Sequence, residues 1–163
     1  MEKTRRETLN EIYSPLAQRM RALSAALTER GFPVESGWFS GHYSKDETGQ
    51  YRMDDFPIPV VTVPGRWDIE LGLELTTVSA KLRRAAALAL SPEELGDVPF
   101  EAYGVEDYLL DLYLPGTDFS RLRENILACG EEEIGFSFCL PTDAPAERVL
   151  ALMERLSQAG FYQ

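Results

Sequence analysis

Residues Trp67–Leu75 read Trp-Asp-Ile-Glu-Leu-Gly-Leu-Glu-Leu, and this strict alternation of apolar and polar positions predicts a strand. The predicted buried face carries Trp67, Ile69, Leu71, Leu73 and Leu75. The predicted wet face carries Asp68, Glu70, Gly72 and Glu74. A strand that is buried on one face and solvated on the other is typical of an antiparallel or mixed sheet, and not of a doubly wound parallel one.

Outward from this stretch, helical and strand patterns follow one another in the order α-ββββ-α-ββ-α-β-α. The sequence therefore predicts an α+β fold in two layers. It consists of a mostly antiparallel mixed sheet of about six to seven strands, with helices packed on one face. We expect one globular domain over residues 1–163. It comprises an N-terminal helix region at 4–30, a sheet-rich core at 34–141 and a C-terminal helix at 144–159.

Three segments leave alternatives open. Ser14-Pro15 predicts either a kink in the first helix or two shorter helices. Thr76–Lys81 begins as a strand former and runs into helix formers, so its class is ambiguous. Phe56–Val63 contains two prolines and is expected to be a sheet edge, which either stays blunt or is covered by a second copy in a homodimer.

The charge is strongly acidic and unevenly distributed. The chain has 16 basic and 27 acidic residues, a net charge of −11, and residues 91–147 alone carry two basic and fourteen acidic groups. Such a field repels phosphate backbones, which argues against nucleic-acid binding, and attracts a basic protein partner. The alternative interpretation is that the charge only maintains solubility.

Membrane insertion and secretion are not indicated by the sequence. The longest apolar run, Ala85–Leu90, has six residues, whereas a membrane-spanning helix needs about 20. The N-terminal residues lack the apolar stretch of a secretory signal, so the expected location is cytoplasmic. Cys129 and Cys139 are expected to be free thiols.

Motifs for catalysis are missing from the sequence. His42 is the only histidine, and no nucleophile elbow or phosphate-binding loop is present. No catalytic residue and no cofactor are therefore predicted, and an enzyme is the least favoured class. Any enzyme activity would have to depend on carboxylates.

Two groups of residues are candidate sites. Trp38, His42, Tyr43 and Tyr51 lie in an aromatic-rich segment that would either rim a ligand pocket or pack at a sheet edge. Asp68, Glu70 and Glu74 would either hold a hard cation or form the solvated face of a one-sided sheet.

Three function classes follow from these features. The first is a non-catalytic binding protein that uses its acidic surface to engage a protein partner. The second is a small-molecule sensor with an aromatic-rimmed pocket, and the third is a carboxylate-dependent enzyme. The first class is preferred because the concentrated acidic charge is the one positive signal, whereas the case against an enzyme rests on missing motifs.

Overall fold

The computed structural model describes residues 5–45, 48–49, 51–72, 74–95, 97–104 and 108–162. Side chains are described in all of these ranges except residues 5–10, 12–13, 38–45 and 51–57. The helices are α1 (Arg5–Glu29), α2 (Arg84–Leu88), α3 (Pro92–Leu95), α4 (Ser120–Cys129) and α5 (Ala146–Gln158). The strands are β1 (Glu35–Lys45), β2 (Tyr51–Val63), β3 (Trp67–Leu71), β4 (Leu75–Arg83), β5 (Phe100–Tyr103), β6 (Leu109–Tyr113) and β7 (Glu133–Pro141).

The strands form one seven-stranded sheet in the order β1-β2-β3-β4-β7-β5-β6. Every neighbouring pair in this order is antiparallel. The predicted α+β fold class is therefore confirmed. The last strand in the chain, β7, lies between β4 and β5, so it joins the four-stranded N-terminal part of the sheet to the β5–β6 pair.

The core lies between the sheet and the helices. Helix α1 buries Leu16, Met20, Leu23 and Leu27, which recur at helical spacing. Helix α5 buries Val149, Leu152, Met153 and Leu156 in the same way. Except for Leu16, these side chains form one hydrophobic core together with the alternate positions of β3, β4, β5 and β7. No helix in the described ranges is both long and apolar enough to cross a bilayer.

The Trp67–Leu75 stretch forms two strands, so the prediction of one strand is wrong in its last part. Trp67, Ile69 and Leu71 are buried as predicted, but β3 ends at Leu71. Leu73 lies outside the described residues. The Gly72 N–H donates to the Leu75 carbonyl oxygen at 3.0 Å, and Leu75 is 49% exposed at the start of β4. A Cβ atom on Gly72 would lie 3.0 Å from that oxygen, so glycine suits this tight reversal.

The structure resolves the alternatives that the sequence leaves open for these segments. Thr76–Lys81 belongs to β4, which pairs with β3 on one side and β7 on the other. Helix α1 is assigned as one helix through Pro15. Within the predicted edge, residues 60–62 pair with both β1 and β3, so this part of the segment is internal to the sheet and the prediction of an edge is wrong for it.

The outer edge of β6 is capped by side chains. The Asn125 side-chain amide donates to the Leu110 carbonyl oxygen at 2.7 Å, and the Leu112 N–H donates to the Asp111 Oδ1 atom at 3.0 Å. Arg121 of α4 holds that carboxylate in place, with its Nε atom 3.3 Å from Oδ1. These backbone groups would otherwise be available to another strand, so the caps block strand addition at this edge.

Removing the caps is expected to cause self-association. The Asp111→Ala/Asn125→Ala variant leaves the Leu110 carbonyl and the Leu112 N–H free on a strand with exposed leucines. We expect a concentration-dependent increase in mass by sedimentation, relative to the unchanged chain. Asp111→Asn is the control, because its amide oxygen can still accept from Leu112. A double variant that sediments like the unchanged chain would show that the caps do not protect this edge.

Candidate functional site

The sheet face opposite the helices carries a continuous row of paired residues. The register places Thr62 opposite Asp68, Asp68 opposite Ser79, and Ser79 opposite Ser137. The row continues from Ser137 to Glu101 and from Glu101 to Leu112. Residues paired directly across a sheet share a face, so these six strands present one surface, which we call the outer face.

The middle of the outer face is a shallow depression because its side chains are short. Ser79 on β4 and Gly135 and Ser137 on β7 form the floor of a cleft of about 210 Å³, the outer trough. Asp68 on β3 and Tyr103 on β5 also line it. Since β3 and β5 are separated by β4 and β7, the backbones of the two wall strands run about 14 Å apart at the usual spacing of neighbouring strands.

Acidic groups stand on both walls of the outer trough. The Asp68 Oδ1 atom is enclosed and has no hydrogen-bond partner among the described residues. Glu70, two residues further along the same face, has a pKa raised by burial and, secondarily, by the Asp68 charge. On the opposite wall the Tyr103 hydroxyl donates to the Glu101 carboxylate. The β3 wall therefore holds two adjacent carboxylates whose charge is poorly compensated.

Basic groups on this face lie further along β4. Lys81 lines the trough and is exposed, but within the described chain it forms no ion pair with Asp68. Arg83 is paired opposite Glu133 at the end of the face. On the four strands around the trough, β3, β4, β7 and β5, the described charged positions of the outer face are Asp68, Glu70, Glu101 and Glu133 against Lys81 and Arg83. The balance is negative, and it is most negative on β3.

Neutralising Glu70 is expected to stabilise the fold at neutral pH. A carboxyl pKa above its ordinary value of 4.5 means that the folded chain holds the proton more tightly, so stability falls as pH rises from the unfolded pKa through the folded one. Because the side chain is partly solvated, we expect Glu70→Gln to raise the melting temperature at pH 7 by only about 1–2 °C. Below both pKa values the gain should vanish. A variant that is less stable at pH 7 would contradict this assignment.

Both cysteines are free thiols, as predicted. Cys139 lies on the outer face, opposite Thr77, and its pKa is raised by burial and by the Glu101 charge. Cys129 lies in α4, where its thiol donates to the Ile126 carbonyl oxygen at 3.1 Å. The chain thus carries one thiol on the candidate surface and one on a helix.

The aromatic candidates all lie in the β1–β2 hairpin. Trp38 pairs with Pro59, His42 with Asp54, Tyr43 with Met53, and Tyr51 with Lys45. The register shifts between Ser40 and His42. Their side chains lie outside the described part of the structure, so the aromatic-rimmed pocket stays a prediction.

The three metal candidates are divided between two places. Asp68 and Glu70 lie on the outer face, whereas Glu74 lies in the β3–β4 turn and lines a cleft of about 670 Å³ beside α1. Among the described residues, no group of three His, Cys, Asp or Glu side chains is placed to hold a metal ion. The predicted row is interrupted because the chain reverses at Gly72, between Glu70 and Glu74.

The polar groups of the α1 cleft are used to hold loops together. An Arg19 guanidinium nitrogen donates to the Ala144 carbonyl oxygen, and the Thr142 hydroxyl donates to the Gly72 carbonyl oxygen at 2.8 Å. Burial lowers the pKa of Arg19, and the nearby Asp143 opposes this shift. These contacts join α1 and the β3–β4 turn to the segment before α5, so we interpret the cleft as structural.

Sequence reasoning missed the contribution of β5 to the site. Glu101 and Tyr103 are far from Asp68 in the chain and meet the same surface only because β7 is inserted between β4 and β5. The pattern around Glu101 alternates as a strand does, but no local signal indicates which strands lie beside it.

Comparison with known proteins supports the fold alone. No family model and no curated protein matches the chain. Among solved structures, the chain is similar to a conserved hypothetical protein from Pyrococcus furiosus, with a TM-score of 0.59 and 21% identity. The match covers 94% of this chain and 93% of that one. At this level of identity, the similarity concerns the arrangement of helices and strands over nearly the whole chain.

Proposed function

We propose that this protein is a non-catalytic binding protein that engages a basic segment of another protein on its outer face. The observation that carries the proposal is the pair of neighbouring carboxylates Asp68 and Glu70 on the β3 side of the outer face, where the pKa of Glu70 is raised by burial and by the Asp68 charge. Two like charges held side by side and partly removed from water cost stability. A lysine or arginine from a partner would supply the opposite charge.

The electrostatics of the whole chain favour the same class of partner. A net charge of −11 attracts a basic protein over distances of about 8–10 Å at moderate salt and repels nucleic acid. The cytoplasm remains the compartment in which we expect the two proteins to meet. On the outer face a small-molecule site receives less support, because the outer trough of about 210 Å³ is smaller than the ~300–1,000 Å³ typical of ligand pockets.

The proposal is tested by capture of partners from an extract of the source organism at low and high salt. The unchanged chain should retain a basic protein that salt releases, and Asp68→Asn/Glu70→Gln should lose it. Glu93→Gln/Glu124→Gln is the matched control, because it removes the same charge from exposed positions on α3 and α4. Equal capture by both double variants would show that the outer face is not the binding site.

A further inference from the structure

We infer that the outer trough is a binding pocket for one arginine side chain of the basic partner. This inference rests on the proposed function and names the residue that the partner inserts. The observations behind it are the size of the trough, the acceptor groups and the aromatic ring that line it, and the position of Lys81.

The trough has room for one side chain. Its volume of about 210 Å³ is below the ~300–1,000 Å³ of pockets that hold whole ligands. On its two floor strands it spans residues 79–81 and 135–137, and three residues of a strand extend only about 7 Å from the first to the last. A partner can therefore insert the end of one long side chain here, while its other contacts lie outside the trough.

The floor and the β3 wall offer hydrogen-bond acceptors. The hydroxyl oxygens of Ser79 and Ser137 lie 3.4 Å apart, and each hydroxyl oxygen has lone pairs that accept hydrogen bonds. Asp68 adds a carboxylate on the wall, and a carboxylate accepts two parallel hydrogen bonds from a guanidinium group. Arginine carries its donors in one plane on three nitrogens, whereas lysine carries its donors on a single nitrogen. Acceptors that are spread over β3, β4 and β7 therefore favour arginine.

The β5 wall adds an aromatic ring. Tyr103 lines the trough, and its hydroxyl donates to the Glu101 carboxylate on the same strand. Gly135, opposite Tyr103 in the register, has no side chain that would fill the space beside the ring. A guanidinium group stacks on the face of a tyrosine ring and is more weakly hydrated than an ammonium group. The ring and the nearby carboxylate therefore favour the same planar cation.

Lys81 is the cation that an entering arginine would meet. It lies on β4 opposite Gly135 and is exposed, so its flexible side chain can turn toward solvent. The remaining repulsion should weaken arginine binding. We therefore expect Lys81→Gln to bind arginine about two- to fivefold more tightly than the unchanged chain. If the trough instead bound an anion through Lys81, the same substitution would leave arginine without any binding to improve.

The test is an NMR titration of the isotope-labelled full chain with the Nα-acetylated amides of arginine, lysine and citrulline. Citrulline has nearly the shape of arginine but no charge. The arginine probe should shift the backbone amide signals of Ser79, Gly135 and Ser137 with a dissociation constant of about 1–10 mM. The lysine probe should bind at least about fivefold more weakly, and the citrulline probe should not bind. Asp68→Asn should weaken arginine binding at least about fivefold, whereas Glu93→Gln, at an exposed position on α3, should leave it unchanged.

The remaining outcomes separate this inference from the proposed function. A lysine probe that binds as tightly as the arginine probe would overturn the assignment to arginine and leave the basic-partner proposal in place. Equal binding of citrulline, weaker arginine binding by Lys81→Gln, or no arginine binding at about 50 mM would overturn the pocket itself. In that case partner capture from the extract would decide the proposed function independently.

Discussion

Replacing Phe100 by alanine is expected to lower the free energy of unfolding by about 3–5 kcal/mol. Phe100 is fully buried, and its ring centroid lies 4.8 Å from that of Tyr113 and 5.4 Å from those of Phe136 and Phe138. Because β5 joins β7 to β6, the resulting cavity would lie where the two parts of the sheet meet. Thermal unfolding followed by circular dichroism should show a melting temperature lower by roughly 6–20 °C for a chain of this size.

Leu127→Ala is the control for this change. Leu127 is 57% exposed on α4, and alanine is a good helix former. Replacing Leu127 by alanine should therefore alter the free energy of unfolding by less than about 0.5 kcal/mol. If Phe100→Ala and Leu127→Ala destabilised the protein equally, the aromatic rings packed around Phe100 would not be the centre of the core.

Filling the floor of the outer trough is expected to weaken partner binding at least about tenfold without any change in charge. Ser137 sits at the middle of the outer face, with its hydroxyl oxygen 3.4 Å from that of Ser79. A tryptophan at position 137 would occupy the space that a partner has to enter. The measurement is binding of the captured partner to Ser137→Trp.

The same experiment includes two further variants. Ser137→Ala keeps the floor low and should bind like the unchanged chain, while Ser79→Trp fills the trough from the neighbouring strand and should be as weak as Ser137→Trp. A melting temperature within a few degrees of the unchanged chain would confirm that each variant is folded. Full binding by both tryptophan variants would contradict a binding site on this face.

Much of the fold was predictable because its elements are locally encoded. The alternation of Ile134, Phe136, Phe138 and Leu140 is matched by burial in β7, and Gly130 and Gly160 end α4 and α5 with positive φ values of 68° and 87°. The sequence around Trp67–Leu75 also contains a signal that the stretch forms two strands. The buried positions are odd-numbered in β3 and even-numbered in β4, and Gly72 lies where this phase changes.

The candidate site was only half predictable from the sequence. Asp68 and Glu70 were identified because neighbouring alternate positions on one strand share a face. Glu101 was missed because its proximity to the site depends on which strands pair, and this is determined by packing over the whole chain. The side-chain caps on β6 could not be predicted either, because they depend on contacts between this strand, which contains Asp111, and the following helix, which contains Arg121 and Asn125.

The most direct test of the binding claim is a comparison of the two cysteines in the captured complex. Cys139 lies on the outer face and Cys129 lies in α4, so one chain provides both the probe and its control. Alkylation rates at mildly alkaline pH are measured by mass spectrometry, with and without the bound partner. A partner on the outer face should slow the alkylation of Cys139 and leave that of Cys129 unchanged. Unaltered alkylation of Cys139 in a saturated complex would contradict the account.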